Sequence, residues 1–134
     1  MPQLPKSKVG RPSFPVTEHG ELVALCQRCR YHTAQYPELS LLFAIKNEAS
    51  YKRRDLIAEG IRAGVPDLML PVARAGYHGL FIEMKVYKGR PTAEQLRFAG
   101  LVTGQGYQVR FCWGHEQGWQ ALLSYLAGMP DKKE

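Results

Sequence analysis

The sequence predicts an α/β domain: a small mixed β-sheet flanked by α-helices. Three observations carry that expectation. Four stretches repeat apolar residues at helical spacing, two short runs in the middle of the chain alternate at strand spacing, and a third alternating run follows them. With 134 residues and 45% hydrophobic content, the chain has the size and the apolar material for one ordinary domain.

Residues 1–16 hold Pro2, Pro5, Pro12 and Pro15 among Lys6, Lys8 and Arg11, with no apolar period. They read as a flexible basic arm. The domain proper is expected over 17–128, followed by a short tail at 129–134. Thr17 suits a helix N-cap, with Glu18 and Glu21 in the first turn, where acids favour the positive end of the helix dipole. The helix is expected to run to about Tyr36, burying Leu22, Leu25, Cys26 and Cys29. The Cys26–Cys29 pair has one zinc-like spacing, but no second cysteine pair accompanies it, and both thiols fall on the apolar stripe.

Leu39 to Ile45 is an apolar run suited to a buried strand or an extended segment. Tyr51 to Ala63 reads as an amphipathic helix stopped by Gly64. Its Lys52, Arg53 and Arg54 form either a solvated face or a contact for a nucleic-acid backbone.

The central stretch is the informative one. Asp67 opens a short strand, Asp67-Leu68-Met69-Leu70, and Ala73 to Gly79 connect it to a second strand, Leu80 to Val86, expected to pair antiparallel. A period of two puts Leu80, Ile82, Met84 and Val86 on one face and Phe81, Glu83 and Lys85 on the other. Carboxylates on adjacent strands suit a hard divalent cation such as Mg2+. A nearby lysine can position or deprotonate a water, or stabilise charge on a phosphate. A surface ion-pair cluster would present the same three residue types.

Pro66-Asp67 followed by Glu83-Met84-Lys85 matches the bipartite pattern of the PD-(D/E)XK nuclease superfamily. Gly64-Val65-Pro66-Asp67-Leu68, Gly79 to Lys85 and Gln95 together resemble the VRR-NUC family. The resemblance spans about Glu18 to Leu126 and implies a restriction-endonuclease-like fold. It implies Asp67 and Glu83 as ligands of Mg2+ or Mn2+, joined by the Met84 main-chain carbonyl, with Lys85 as catalytic lysine. Glu18 matches the acidic position on the first helix, ahead of its competitor Glu21. Gln95 matches the family glutamine, although Thr92 to Gln95 also fits a helix capping box. Asn47 is present where the family has Asn-Gly, but the glycine is replaced by Glu48.

The implied activity is metal-dependent hydrolysis of DNA phosphodiesters, leaving 5′-phosphate and 3′-hydroxyl ends. The implied substrate is branched DNA such as a four-way (Holliday) junction, cut by a homodimer. A non-catalytic DNA-binding subunit and a sequence-specific restriction endonuclease are the competing readings.

Lys88 and Arg90 leave the catalytic strand on a loop where phosphate contacts would be useful. A helix from Thr92 to about Thr103 is expected to turn Leu96, Ala99 and Val102 to the core. A strand over Tyr107 to Trp113 follows, then a last helix burying Trp119, Leu122, Leu123 and Leu126. The net charge of +6 favours a polyanionic partner. Three cysteines do not make a disulfide framework, which with the absence of a long apolar run predicts a cytoplasmic protein and no membrane partner.

Overall fold

The structure, a computed structural model, describes residues 16–45 and 58–129. The basic arm up to residue 15, the Lys52-Arg53-Arg54 cluster and Asn47 lie outside the described residues, as does the tail beyond Met129.

Helix α1, Glu18–Tyr31, begins where the sequence places it, with the Thr17 hydroxyl accepting from the Gly20 N–H at 2.9 Å. It ends five residues before the expected Tyr36. His32 closes it, and a 3₁₀ turn at Pro37–Leu41 uses the proline at its own start. The 3₁₀ turn also takes most of the run expected as a strand, leaving a two-residue β1, Phe43–Ala44. The remaining strands are β2, Leu68–Leu70, β3, Leu80–Lys85, and β4, Gln108–Trp113. Among the described residues two helices accompany them: α2, Ala93–Thr103, and α3, His115–Leu126.

The sheet order is β1-β2-β3-β4, with β1, β2 and β3 antiparallel and β4 parallel to β3. The return to a parallel strand runs through α2, as a crossover between parallel strands requires. One sheet face carries Leu68, Leu70, Leu80, Ile82, Met84 and Cys112, packed in a single core with Leu25, Cys29, Trp119, Leu122 and Tyr125. Leu68, Leu70, Leu80 and Met84 are fully buried, each contributing roughly 1.5–3 kcal/mol of transfer free energy. Helices α1 and α3 cover this face. Burial pushes the Cys29 thiol up to about 12, so it behaves as a small apolar core residue.

The opposite face is covered too. Phe98 of α2 meets Phe81 edge-on at 5.6 Å between ring centroids. All six residues of β3 are therefore buried, polar ones included. The apolar stripe of α2 differs from the expected one. Leu96 is 55% exposed, whereas Gln95, Phe98, Ala99 and Val102 are the partly buried positions. Their spacing is i, i+3, i+4, i+7, a regular helix face whose first member is a glutamine. A search for apolar residues moves the stripe one position along.

The helix expected to reach Ala63 is over after Ala58, with Gly60 at φ +83° in the turn that follows. Gly64, at φ +84°, lies in a second turn before β2, where a Cβ would lie 2.5 Å from the Glu94 carbonyl carbon and oxygen. It permits the first turn of α2 to approach closely. Gly64→Ala is expected to cost roughly 2 kcal/mol or more in urea denaturation. The substitution would displace Gln95 together with that turn.

Candidate active site

The antiparallel register pairs Leu68 with Ile82. Asp67 directly precedes β2, and continuing that register by one step brings it level with Glu83. The strand pair begins to separate there, and the Met84 N–H donates to Asp67 Oδ2 at 2.8 Å. The Asp67 carbonyl accepts from the Ile45 N–H at 2.8 Å, which fixes the residue from its other side. Lys85 lies on the Glu83 face, with Nζ 3.8 Å from Glu83 Oε1.

Glu83 and Lys85 are each 4% exposed. This removes the surface ion-pair explanation, because a solvated pair would not sit beneath a helix. The burial has electrostatic consequences. Burial raises the Glu83 carboxyl to about 7, the Asp67 charge pushes the same way, and Lys85 opposes both. Asp67 is raised by burial and by the Glu18 charge, against the lowering effects of the Met84 N–H and Lys85. Glu18 also raises Glu83. Two acids and one ammonium thus meet here, and the charge of exposed Glu18 is felt at both acids.

Gln95 serves two purposes at once. Its Oε1 accepts from the Thr92 N–H at 2.9 Å, and the Thr92 hydroxyl accepts from the Gln95 N–H at 3.2 Å, forming a capping box. Its Nε2 donates to Glu83 Oε1 at 2.9 Å. Cap and site were alternatives in the sequence; they are opposite ends of one amide. The cap fixes the rotamer that delivers the donor to Glu83.

Glu21 has a different occupation. Its Oε2 accepts from the His115 N–H and lies against His115 Nδ1, both at 2.6 Å. Burial raises the Glu21 carboxyl, but the His115 contacts outweigh it and leave it lower than usual. The N-cap of α3 is Gly114, which has no side chain to offer, so Glu21 caps that helix from α1. Of the two acids on the first turn, Glu18 is the one whose charge reaches Asp67 and Glu83. Lys88 and Arg90 stand on the loop just beyond β3, both exposed.

Oxygen donors and uncompensated negative charge suit a hard divalent cation. Among the described residues no three His, Cys, Asp or Glu side chains form a metal-holding cluster. Asp67 and Glu83 are the two carboxylates that could hold such a cation, and Mg2+ is bound through one or two carboxylates and keeps several waters.

The VRR-NUC domain family model matches residues 17–116, most of the chain. The chain belongs to the VRR-NUC family. A solved structure of a VRR_NUC domain protein superposes with a TM-score of 0.69 at 21% identity, covering 84% of this chain and 89% of that one. No curated protein matches the sequence. The four-strand mixed sheet flanked by helices is the restriction-endonuclease-like arrangement, and VRR-NUC membership makes this a nuclease-type domain with DNA as its substrate class. No helix among the described residues is long and apolar enough to cross a membrane.

Proposed function

We propose that the protein is a metal-dependent DNA endonuclease in which Asp67 and Glu83 hold Mg2+ or Mn2+ with the Met84 main-chain carbonyl, and that Lys85 is its catalytic lysine. The observation that carries this reading is the trio itself: buried Glu83 and Lys85 on one face of β3, with half-buried Asp67 one register step away across the strand pair. Burying two like charges side by side is unfavourable unless a cation joins them. A bound divalent ion would supply charge neutralisation and water activation.

The chain's own residues complete the arrangement. The Met84 N–H holds one Asp67 oxygen, and Gln95 holds one Glu83 oxygen, so each carboxylate is oriented before a ligand arrives. Lys85 lies where it can stabilise charge developing on a phosphate or hold a proton during attack. Glu18 acts through its charge from the rim. Lys88 and Arg90 offer phosphate contacts outside it.

Gln95→Ala tests this orientation. Loss of its cap and its Glu83 contact should cost about 1 kcal/mol of stability and 10- to 100-fold in cleavage rate. Gln95→Glu retains an acceptor for the cap but sets a carboxylate against Glu83. It should recover stability below about pH 5 but no activity at pH 8.

The proposed substrate is branched DNA, a flap or four-way junction, cut by a homodimer. Labelled linear, flapped and four-way-junction DNA incubated with Mg2+, Mn2+ or chelator tests the activity. Metal-dependent cuts near the branch are expected. Binding without cutting would make the protein a DNA-binding subunit, and preferential cutting of one linear sequence would make it a restriction-type enzyme. A monomer by light scattering at working concentration removes the dimer.

A further inference from the structure

Two aromatic side chains at the ends of β3 and β4 have no part in the site as described. The parallel register pairs Lys85 with Trp113, so the indole and the ammonium leave neighbouring strands on the same face. Two residues beyond Lys85, Tyr87 is 87% exposed. Tyr87 and Trp113, with Val16, Val86, Glu21 and Gln117, line an open cleft of about 350 Å³. That volume admits a single aromatic heterocycle with room for its sugar.

The rim of the cleft is built. Trp113 Nε1–H donates to the Gly89 carbonyl at 2.8 Å, and the Gly89 N–H donates to the Val86 carbonyl at 2.7 Å. A Cβ on Gly89 would lie 2.9 Å from the Val86 oxygen. The same turn holds Lys88 at φ +65°, a conformation unfavourable for a side chain of that kind. Its Nζ lies 5.6 Å from the Tyr87 ring centroid. The indole thus fixes a strained turn that holds a tyrosine out in solvent and a lysine beside it.

The lining discriminates between possible occupants. Glu21 sets a carboxylate in the wall that repels a phosphate; its Oε2 is taken by His115, which leaves Oε1 to accept from an N–H. Gln117 spends its Oε1 on the Trp113 backbone N–H at 2.9 Å, which leaves its amino group as a donor. Aromatic walls with one acceptor and one donor suit a heterocycle bearing N–H and carbonyl edges. Phosphates flanking such a ring would meet Lys88 and Arg90 on the same turn.

We propose that Tyr87 and Trp113 form a stacking pocket for one unpaired nucleobase beside the scissile phosphate, so the preferred DNA is splayed at the cut. This rests on reading Asp67, Glu83 and Lys85 as the nuclease site. A base must leave its duplex neighbours to enter the pocket, which selects DNA already unpaired at that position.

Tyr87 is exposed enough that its removal does not disturb the core, so the test uses Tyr87→Ala and Tyr87→Phe. Fluorescence anisotropy in Ca2+, with the DNA checked intact on a gel, compares a forked duplex carrying 2-aminopurine at the fork with a fully paired duplex of equal length. Tyr87→Ala should bind the forked DNA about tenfold more weakly and the paired DNA within twofold of wild type. Tyr87→Phe should match wild type on both, and 2-aminopurine should be quenched by wild type but not by Tyr87→Ala. Equal losses on the two DNAs, no loss on either, or a wild type that binds neither would overturn the pocket. The two readings separate in Mg2+. If wild type shows the fork preference but never cuts, the nuclease reading fails and the pocket stands. If it cuts and Tyr87→Ala behaves as wild type, the pocket alone fails.

Discussion

Glu83→Gln should abolish cleavage while making the metal-free protein more stable at pH 8. The two effects have one cause. In the folded chain the Glu83 carboxyl is raised from 4.5 to about 7, burial first and the Asp67 charge second. Between those pH values the folded state holds a proton that the unfolded chain has released. Metal-free stability therefore falls as pH rises from about 4.5 through 7, and the full penalty is present above 7. A shift of that size corresponds to on the order of 3 kcal/mol. A glutamine cannot ionise, keeps an oxygen for Gln95, and escapes the penalty. Thermal melts in chelator at pH 5 and pH 8 should show a stabilisation confined to the higher pH. Cleavage should fall about a thousandfold, since a ligand carboxylate is gone. Destabilisation at pH 8 would contradict the electrostatic account of the site.

Lys85→Met should do the reverse to stability and the same to catalysis. The ammonium opposes the rise of both Glu83 and Asp67, so its removal leaves a buried and a half-buried carboxylate without their cation. Metal-free protein should be less stable than wild type at pH 8 and close to it at about pH 3, below the ordinary range of both carboxyls, where they are largely protonated in folded and unfolded chains alike. Saturating Mn2+ should recover much of the loss at pH 8, because the ion replaces the missing charge. Cleavage should not return. Recovery of cleavage by metal alone would assign Lys85 a structural task rather than a catalytic one.

The two strands and their facing acids were legible because alternation is local: Leu80, Ile82 and Met84 against Glu83 and Lys85 needs no tertiary knowledge. Three features were not. The sequence shows which face Glu83 occupies but not that α2 covers it, so burial of Glu83 and Lys85 depends on the crossover that brings Phe98 over Phe81. Gln95 looked polar in a helix whose stripe was sought among apolar residues; its place on the inward face follows from its bond to Glu83. Glu21 and Glu18 share a helical turn; the resemblance ranks Glu18 first, but nothing local to that turn shows that Glu21 is the cap that Gly114 requires. The 3₁₀ turn at Pro37–Leu41 shows the same limit at fold level, since an apolar run of seven residues is compatible with strand, helix or neither.

Single-turnover cleavage of a forked or junction DNA by wild type, Asp67→Ala and Glu83→Gln, each in Mg2+ and in chelator, tests the central claim most directly. Cutting by wild type in Mg2+ alone is expected, with both variants binding the DNA yet cutting at least about a thousandfold more slowly. Cutting that persists in chelator, or in either variant at the wild-type rate, would contradict a metal site built on Asp67 and Glu83.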